Sequence, residues 1–351
     1  MSTDPITVLD AWPWPAPPAI GGAEAGLINQ SWTVEVGGHP IAVLQRLNTD
    51  VFIPEVHEDI EAVTVHLAER GIPTPRLLRT RENALWHTDP AGGVWRCLTH
   101  VGRDTVHRLR DPAMAWSAGR LVARFHTALR DFTWDFRSVR PSVHNTDAQM
   151  ARLRTALEAR PEHRLHRAVA HVSGQILECW RRWDGPRELP THVLHGDLKI
   201  SNVRFLDGEA VALIDLDTLQ WGTLDAELGD ALRSWCNTAS EDARTARFDL
   251  TLFEAAIRGY AAGSGNGGPT VEEWASIVPG IERICLELAA RFARDALEES
   301  YFGWDPRHGG RGEHNLLRAE GQLDLALRVA DAAPLARRKL DQARAPQNRR
   351  S

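Results

Sequence analysis

The stretch His195-Gly196-Asp197-Leu198-Lys199-Ile200-Ser201-Asn202, followed thirteen residues after Asn202 by Asp215, decides how this chain reads. Short strand-like runs flank it at Thr191–Leu194 and Ala210–Asp215, and the second leads into Asp215-Leu216-Asp217. Working outward, helical spacing is predicted over 113–129, 147–158 and 163–183 on one side. On the other side it is predicted over 225–237, 243–262, 271–299 and 314–331. A polar loop on two short strands is therefore set in a largely helical region.

The residue types in that loop suit one chemistry. Asp197 and Asn202, with four residues between them, have the spacing of a phosphoryl-transfer loop: the Asp accepts a hydroxyl proton and the Asn holds magnesium. Asp215, ending an apolar strand, is placed as a second metal ligand, since Mg²⁺ takes hard oxygens and few of them from protein. Such transfer needs positioning and charge neutralisation more than covalent help. Lys199 would bring positive charge near the transferred phosphate. In a continuous strand Asp217 would share a face with Asp215, and so reach metal or substrate, or brace the loop. His195 reads as orienting the loop, and Asp230 and Arg233 as braces on the next helix. Any one of these acidic residues alone would read as a turn or cap residue; the joint pattern carries the inference.

The first ~100 residues differ in character. Residues 11–22 are Pro-rich. Ser31–Val36 and Ile41–Arg46 read as a hairpin across Gly37-Gly38-His39-Pro40. A helix is predicted from Val56 to Arg70, stopped by Gly71, and short strands end in Val94–His100. The expected fold class is α+β in two lobes: a lead-in over 1–25, a small antiparallel sheet lobe over 26–101, a hinge near Thr99–Arg103, a helical lobe over 102–331, and a fraying Ala/Arg tail over 332–351. A length of 351 residues suits two lobes better than one core.

Composition narrows the setting. A net charge of −6 gives no reason to expect nucleic acid, and no apolar run reaches membrane-spanning length. Four dispersed cysteines and an N-terminus without a signal-like apolar run fit reduced thiols and a cytoplasmic setting. Lys199 and Lys339 are the only lysines, so the sheet lobe cannot offer the strand lysine that protein kinases pair with phosphates and a helix glutamate. At that position stand Gln45 and Arg46; register favours the first and charge the second. The helix glutamate would be Glu61, Thr99 to Val101 would meet adenine, and Gly26-Leu27-Ile28-Asn29-Gln30-Ser31 reads by itself as a turn, or as a loop over the phosphates.

From Val193 to Arg233 the chain resembles the aminoglycoside phosphotransferase and choline kinase superfamily, with its protein-kinase-like two-lobed fold. A narrower resemblance, to bacterial N-acetylhexosamine 1-kinases, rests on Gly26-Leu27-Ile28-Asn29, Val43-Leu44-Gln45-Arg46-Leu47-Asn48, His144-Asn145-Thr146, Ile214-Asp215-Leu216-Asp217-Thr218, Arg291-Phe292, Tyr301-Phe302 and His314-Asn315-Leu316-Leu317-Arg318. It implies ATP and Mg²⁺ as cofactors, Asp197 as base, Asn202 and Asp215 as metal ligands, and the anomeric hydroxyl of an amino sugar as acceptor. His144, Asn145, Arg291 and Tyr301 are then expected near that sugar. The chain departs from the subfamily at Leu198, where a threonine stands in its His-Asn-Asp-Thr-Lys, so acceptor choice is expected to turn on that position.

Overall fold

The computed structural model describes residues 3–24, 28–139 and 144–344. Gly26 and Leu27 of the expected phosphate loop, and the tail beyond 344, lie outside them. The first lobe opens with a short helix α1 (Pro5–Val8), then β1 (Pro18–Glu24), β2 (Gln30–Val36), β3 (His39–Arg46), α2 (Val56–Glu69), β4 (His87–Thr88) and β5 (Val94–Thr99). Its antiparallel sheet has the order β1-β2-β3-β5-β4. The β2–β3 hairpin turns on Gly37 and Gly38, both at positive φ, which lets a two-residue turn follow the strand twist.

The sheet begins earlier than the sequence suggests. Pro18 pairs with Val36 and Glu24 with Ser31, so part of the Pro-rich lead-in is an edge strand. Edge strands tolerate proline because one row of their backbone groups needs no partner, which is why this stretch reads as loop. Val8, Leu9 and Trp12 pack with Val34, Ala42, Leu44, Trp95 and Cys97, closing the outer face of the sheet. Trp12 anchors that lid by donating its indole N–H to the Leu78 carbonyl at 3.0 Å.

The second lobe holds β6 (Asp104–Thr105), α3 (Pro112–Ala128), α4 (Thr146–Ala159), α5 (His166–Arg182), β7 (Thr191–Leu194), β8 (Val203–Leu206), β9 (Glu209–Leu213), β10 (Gln220–Thr223), α6 (Leu224–Trp235), α7 (Leu250–Ser264), α8 (Val271–Glu298) and α9 (Arg311–Arg344). β7 pairs with β10, and β6-β8-β9 form a second small sheet. The loop from His195 to Asn202 lies between β7 and β8. On α6, Gly229 lets that helix approach α8 closely: a Cβ there would sit 2.6 Å from the Gly280 carbonyl oxygen. α9 runs on through Pro334, where a fraying tail was expected. Ala336 and Leu340 are buried and Lys339 pairs with Glu254 of α7, so packing holds the helix past its proline. No described helix is long and apolar enough to cross a membrane.

Candidate active site

The backbone between β7 and β8 is held from behind by α6. Glu227, fully buried, accepts the amide N–H of His195 at 2.8 Å and of Gly196 at 3.0 Å, and His126 approaches it at 3.2 Å. Burial opposes its charge, but these donors hold its carboxyl below the usual range. The His195 ring reaches the Ile214 carbonyl at 2.8 Å and so ties the loop to the bend carrying Asp215. Gly196 has φ +81, and a Cβ there would lie 2.4 Å from the Thr218 carbonyl oxygen. Only glycine fits that turn.

Three expected residues converge in front of this frame. Lys199 Nζ donates to Asp197 Oδ2 at 2.5 Å, and Asn202 Nδ2 donates to the same oxygen at 3.1 Å and to the Asp197 carbonyl at 2.8 Å. Burial would lower the Lys199 ammonium, but the charges of Asp197 and Asp215 outweigh it and hold its pKa above the ordinary lysine value. Asp215 does not end a strand. β9 stops at Leu213, and Asp215 sits at φ 66, ψ 55 before a tight turn over Leu216–Thr218. The expected shared face of Asp215 and Asp217 is therefore lost: Asp215 is exposed and Asp217 is buried. Crowding by protein, then the charge of Asp217, pushes the Asp215 carboxyl up to about 6. Water reaches this side chain, so crowding acts less strongly than on a sealed group; the acidic neighbours Asp217 and Asp197 push the same way.

Asp217, expected at metal or substrate or as a brace of the loop, turns toward the sheet lobe. Its carboxylate receives both Nη atoms of Arg96, at 2.5 and 2.8 Å, and Asn29 Nδ2 at 2.7 Å. Arg96 Nε in turn donates to Gln45 Oε1 at 2.8 Å, and Gln45 Nε2 to Ser31 at 2.9 Å. Gln45 thus faces the second lobe, as its register suggested. Arg46, the alternative that charge favoured, points to the opposite face, 5.7 Å above the Trp95 ring, as strand alternation requires. Glu61 does not meet the strand either: its carboxylate pairs with Arg79 at 2.7 Å. The α2 residue within electrostatic reach of Arg96 and Asp217 is His57. Its Nδ1 hydrogen-bonds the Pro54 carbonyl, and burial, then the Arg96 charge, lowers its pKa to about 4.

The remaining expected residues have partners of their own. Thr99 exchanges bonds with Arg76, its N–H going to the Arg76 carbonyl and its hydroxyl accepting the Arg76 amide, each at 2.9 Å. The Val101 carbonyl accepts from Arg204 at 3.3 Å. His144 reaches the Gly196 carbonyl at 3.4 Å and lies beside the loop, whereas Asn145 caps α4 through the Ala148 amide. Arg291 stacks over Tyr301 at 5.9 Å and Phe302 at 5.4 Å. Leu198 is wholly buried in the second lobe's core, so the hydroxyl it replaces would face apolar packing rather than an acceptor. Sequence reasoning passed over Arg96, His57 and Glu227. Arg96 had one visible signal: a charge inside the apolar run Val94-Trp95-Arg96-Cys97-Leu98.

Comparison with known proteins bears on family and fold. A family model described as phosphotransferase enzyme family matches residues 20–265. A homoserine kinase of Methylobacillus flagellatus is 27% identical over 289 residues, 80% of each chain. One of Rhodopseudomonas palustris is 30% identical over 206 residues, 56% of each chain, so that match spans about half of the relative. Among solved structures, a microcompartment-associated aminopropanol kinase superposes with TM-score 0.61 at 16% identity, covering 93% of this chain and 96% of that one. An aminoglycoside phosphotransferase from Alicyclobacillus acidocaldarius gives 0.58 at 17% identity, over 98% and 96%. An amicoumacin kinase complexed with AMP-PNP and Ca²⁺ gives 0.56 at 13%, over 93% and 87%.

Proposed function

Because the chain belongs to the phosphotransferase enzyme family, we propose that it moves the γ-phosphoryl group of ATP onto a hydroxyl of a small molecule, with Asp197 as the base. One observation carries this: the Asp197 carboxylate is held between Lys199 and Asn202, with Asp215 presented beside them.

The donor set fits a divalent ion. Asp215 accepts no hydrogen bond among the described residues, and Asn202 spends its amide nitrogen on Asp197, which leaves its oxygen as a hard ligand. Asp197, Asp215 and Asp217 crowd acidic charge there. Asn202 and Asp215 would hold the ion, Mg²⁺ by the chemistry of these donors, and when bound it would offset phosphate charge. The chain's own residues do the rest. Asn202 and Lys199 aim the Asp197 carboxylate, which takes the acceptor's proton. Lys199, held charged, lies close enough to stabilise negative charge on the transferring group.

For the acceptor, the hexosamine reading is supported by the resemblance at His144, Arg291 and Tyr301, and the burial of Leu198 removes the objection its sequence raised. A hydroxyl-bearing amino acid of the homoserine kind is the second reading, favoured by the names of the curated relatives. Incubation with ATP and Mg²⁺ against hexosamines, homoserine and aminoglycosides tests both. ADP release with a hexosamine, and a product phosphorus resonance coupled to H1, is the expected result. Release with homoserine alone moves the acceptor, and no release with any acceptor sinks the phosphotransferase reading.

A further inference from the structure

The sheet lobe contains a buried cation that, among the described residues, nothing in its own lobe neutralises. Arg96 on β5 is 1% exposed. The helix that packs across from it, α2, gives Arg96 no anion: Glu58 and Glu61 are turned to Arg137 and Arg79, Asp59 is spent on Trp134 and the Arg137 and Ser138 amides, and His57 is held neutral at ordinary pH. Gln45, opposite Arg96 in the β3–β5 register, supplies a carbonyl oxygen but no charge. A buried guanidinium left without a counter-ion costs several kcal/mol. Among the described residues the counter-ion is Asp217, which belongs to the other lobe and follows Asp215 by two positions.

The bonding is directional. Two parallel N–H groups of Arg96 meet the two Asp217 oxygens, a fork that fixes both position and plane of a carboxylate. Asn29 adds a third donor to Asp217 and accepts the Asn48 amide at 2.9 Å, so the turn before β2 is tied to the same point. A buried pair of this kind adds little net stability, since desolvation cancels most of the Coulomb gain. What it does fix is registry between the parts it joins. The parts here are the nucleotide-side sheet, the turn at Asn29, and the bend that presents Asp215.

We infer that Arg96 is a positioning residue: through Asp217 it latches the two lobes together and holds Asp215 where a metal-bound nucleotide needs it. It takes over the anchoring task of a strand lysine from the neighbouring strand, with its anion drawn from the opposite lobe instead of from a helix. The latch presupposes the phosphotransfer reading above, and its test is arranged so that the two can fail separately.

Calorimetry with AMP-PNP, once with Mg²⁺ and once in EDTA, reads it directly. Arg96→Met is expected to lose about tenfold or more in affinity for the magnesium complex and less than about threefold for the free nucleotide. Arg96→Lys, which keeps the charge without the fork, should recover only part of the loss. The neutralised pair Arg96→Met/Asp217→Asn leaves no unpaired buried charge, so it should fold even where a single variant does not, and it should show the same metal-dependent loss. Equal losses with and without metal would reduce Arg96 to a purely structural role and overturn the latch. So would wild-type affinity in the double variant, or tighter binding, the mark of a pair that must break to admit nucleotide. If the wild-type chain binds no magnesium nucleotide at all, the phosphotransfer reading falls, and the latch with it.

Discussion

Asp197 is held by two donors, and their chemistry sets what its replacement should do. An amide at this position keeps the size and can still accept from Lys199, but it cannot take a proton. Asp197→Asn should therefore leave the nucleotide affinity within about threefold while turnover falls about 100- to 10,000-fold, the range a positioned base contributes. Unchanged turnover would remove Asp197 from that role. Leu198 gives the opposite test. Its side chain is sealed in the core, so Leu198→Thr should cost about 2–4 kcal/mol of stability in urea unfolding, through a lost apolar contact and a buried hydroxyl. The ranking of acceptors should not change, and a changed ranking would return position 198 to the acceptor site. At this scale the loop residues were legible because they are close in sequence. Arg96 was not, because its partners are remote in the chain: strand pairing brings Gln45 to it, and only the docking of the second lobe brings Asp217. Between Gln45 and Arg46 register and charge had pointed opposite ways, and the face Arg46 occupies, over Trp95, was set by strand alternation.

Among the elements, α6 does the most for the site. Its Glu227 receives two loop amides that have no other acceptor among the described residues. Glu227→Ala should cost about 1–3 kcal/mol for each amide left unpaired. It should also speed hydrogen exchange at His195 and Gly196 well before global unfolding. Exchange at the wild-type rate would show that α6 merely packs there. The long helices were readable from periodicity, since an apolar stripe repeated over four turns leaves little ambiguity. α7 starts at Leu250 rather than near 243, because Asp249 caps it and the residues before it bridge back to Asn237. Short strands were harder. β6, β8 and β10 hold two to four residues each, too few to show alternation, and β1 is disguised by proline and glycine. The end of α9 was missed for a related reason: Ala/Arg composition looks like a solvated tail until α7 is seen to cover it.

Across the whole molecule the lobes are joined by more than a hinge strand. The inner face of α2 belongs to the same apolar core as the helices of the second lobe. Asp59 of α2 accepts the Trp134 indole at 2.8 Å and the Arg137 and Ser138 amides. The Arg96–Asp217 fork lies beside this seam, and so does His57, fully buried with its ring stacked on Trp86 at 5.3 Å. That placement makes the seam sensitive to acid. Burial, then Arg96, lowers the His57 pKa from 6.5 to about 4, with Asp217 opposing only in part. Between those values the unfolded chain binds a proton that the folded chain refuses, so stability rises with pH across the window and falls as pH drops through it. Above 6.5 the histidine is neutral in both states and contributes no slope; below 4 the loss is complete, at about 3 kcal/mol from this group. Carboxylates titrate in the same range, so the comparison must be with His57→Gln, which keeps a polar side chain but no ionisable ring. Urea midpoints at pH 7, 6, 5 and 4 should decline more steeply in the wild type than in the variant, with the m-value unchanged. Parallel declines would mean that the seam gives way to acid elsewhere, and that His57 sits beside Arg96 without bearing its charge.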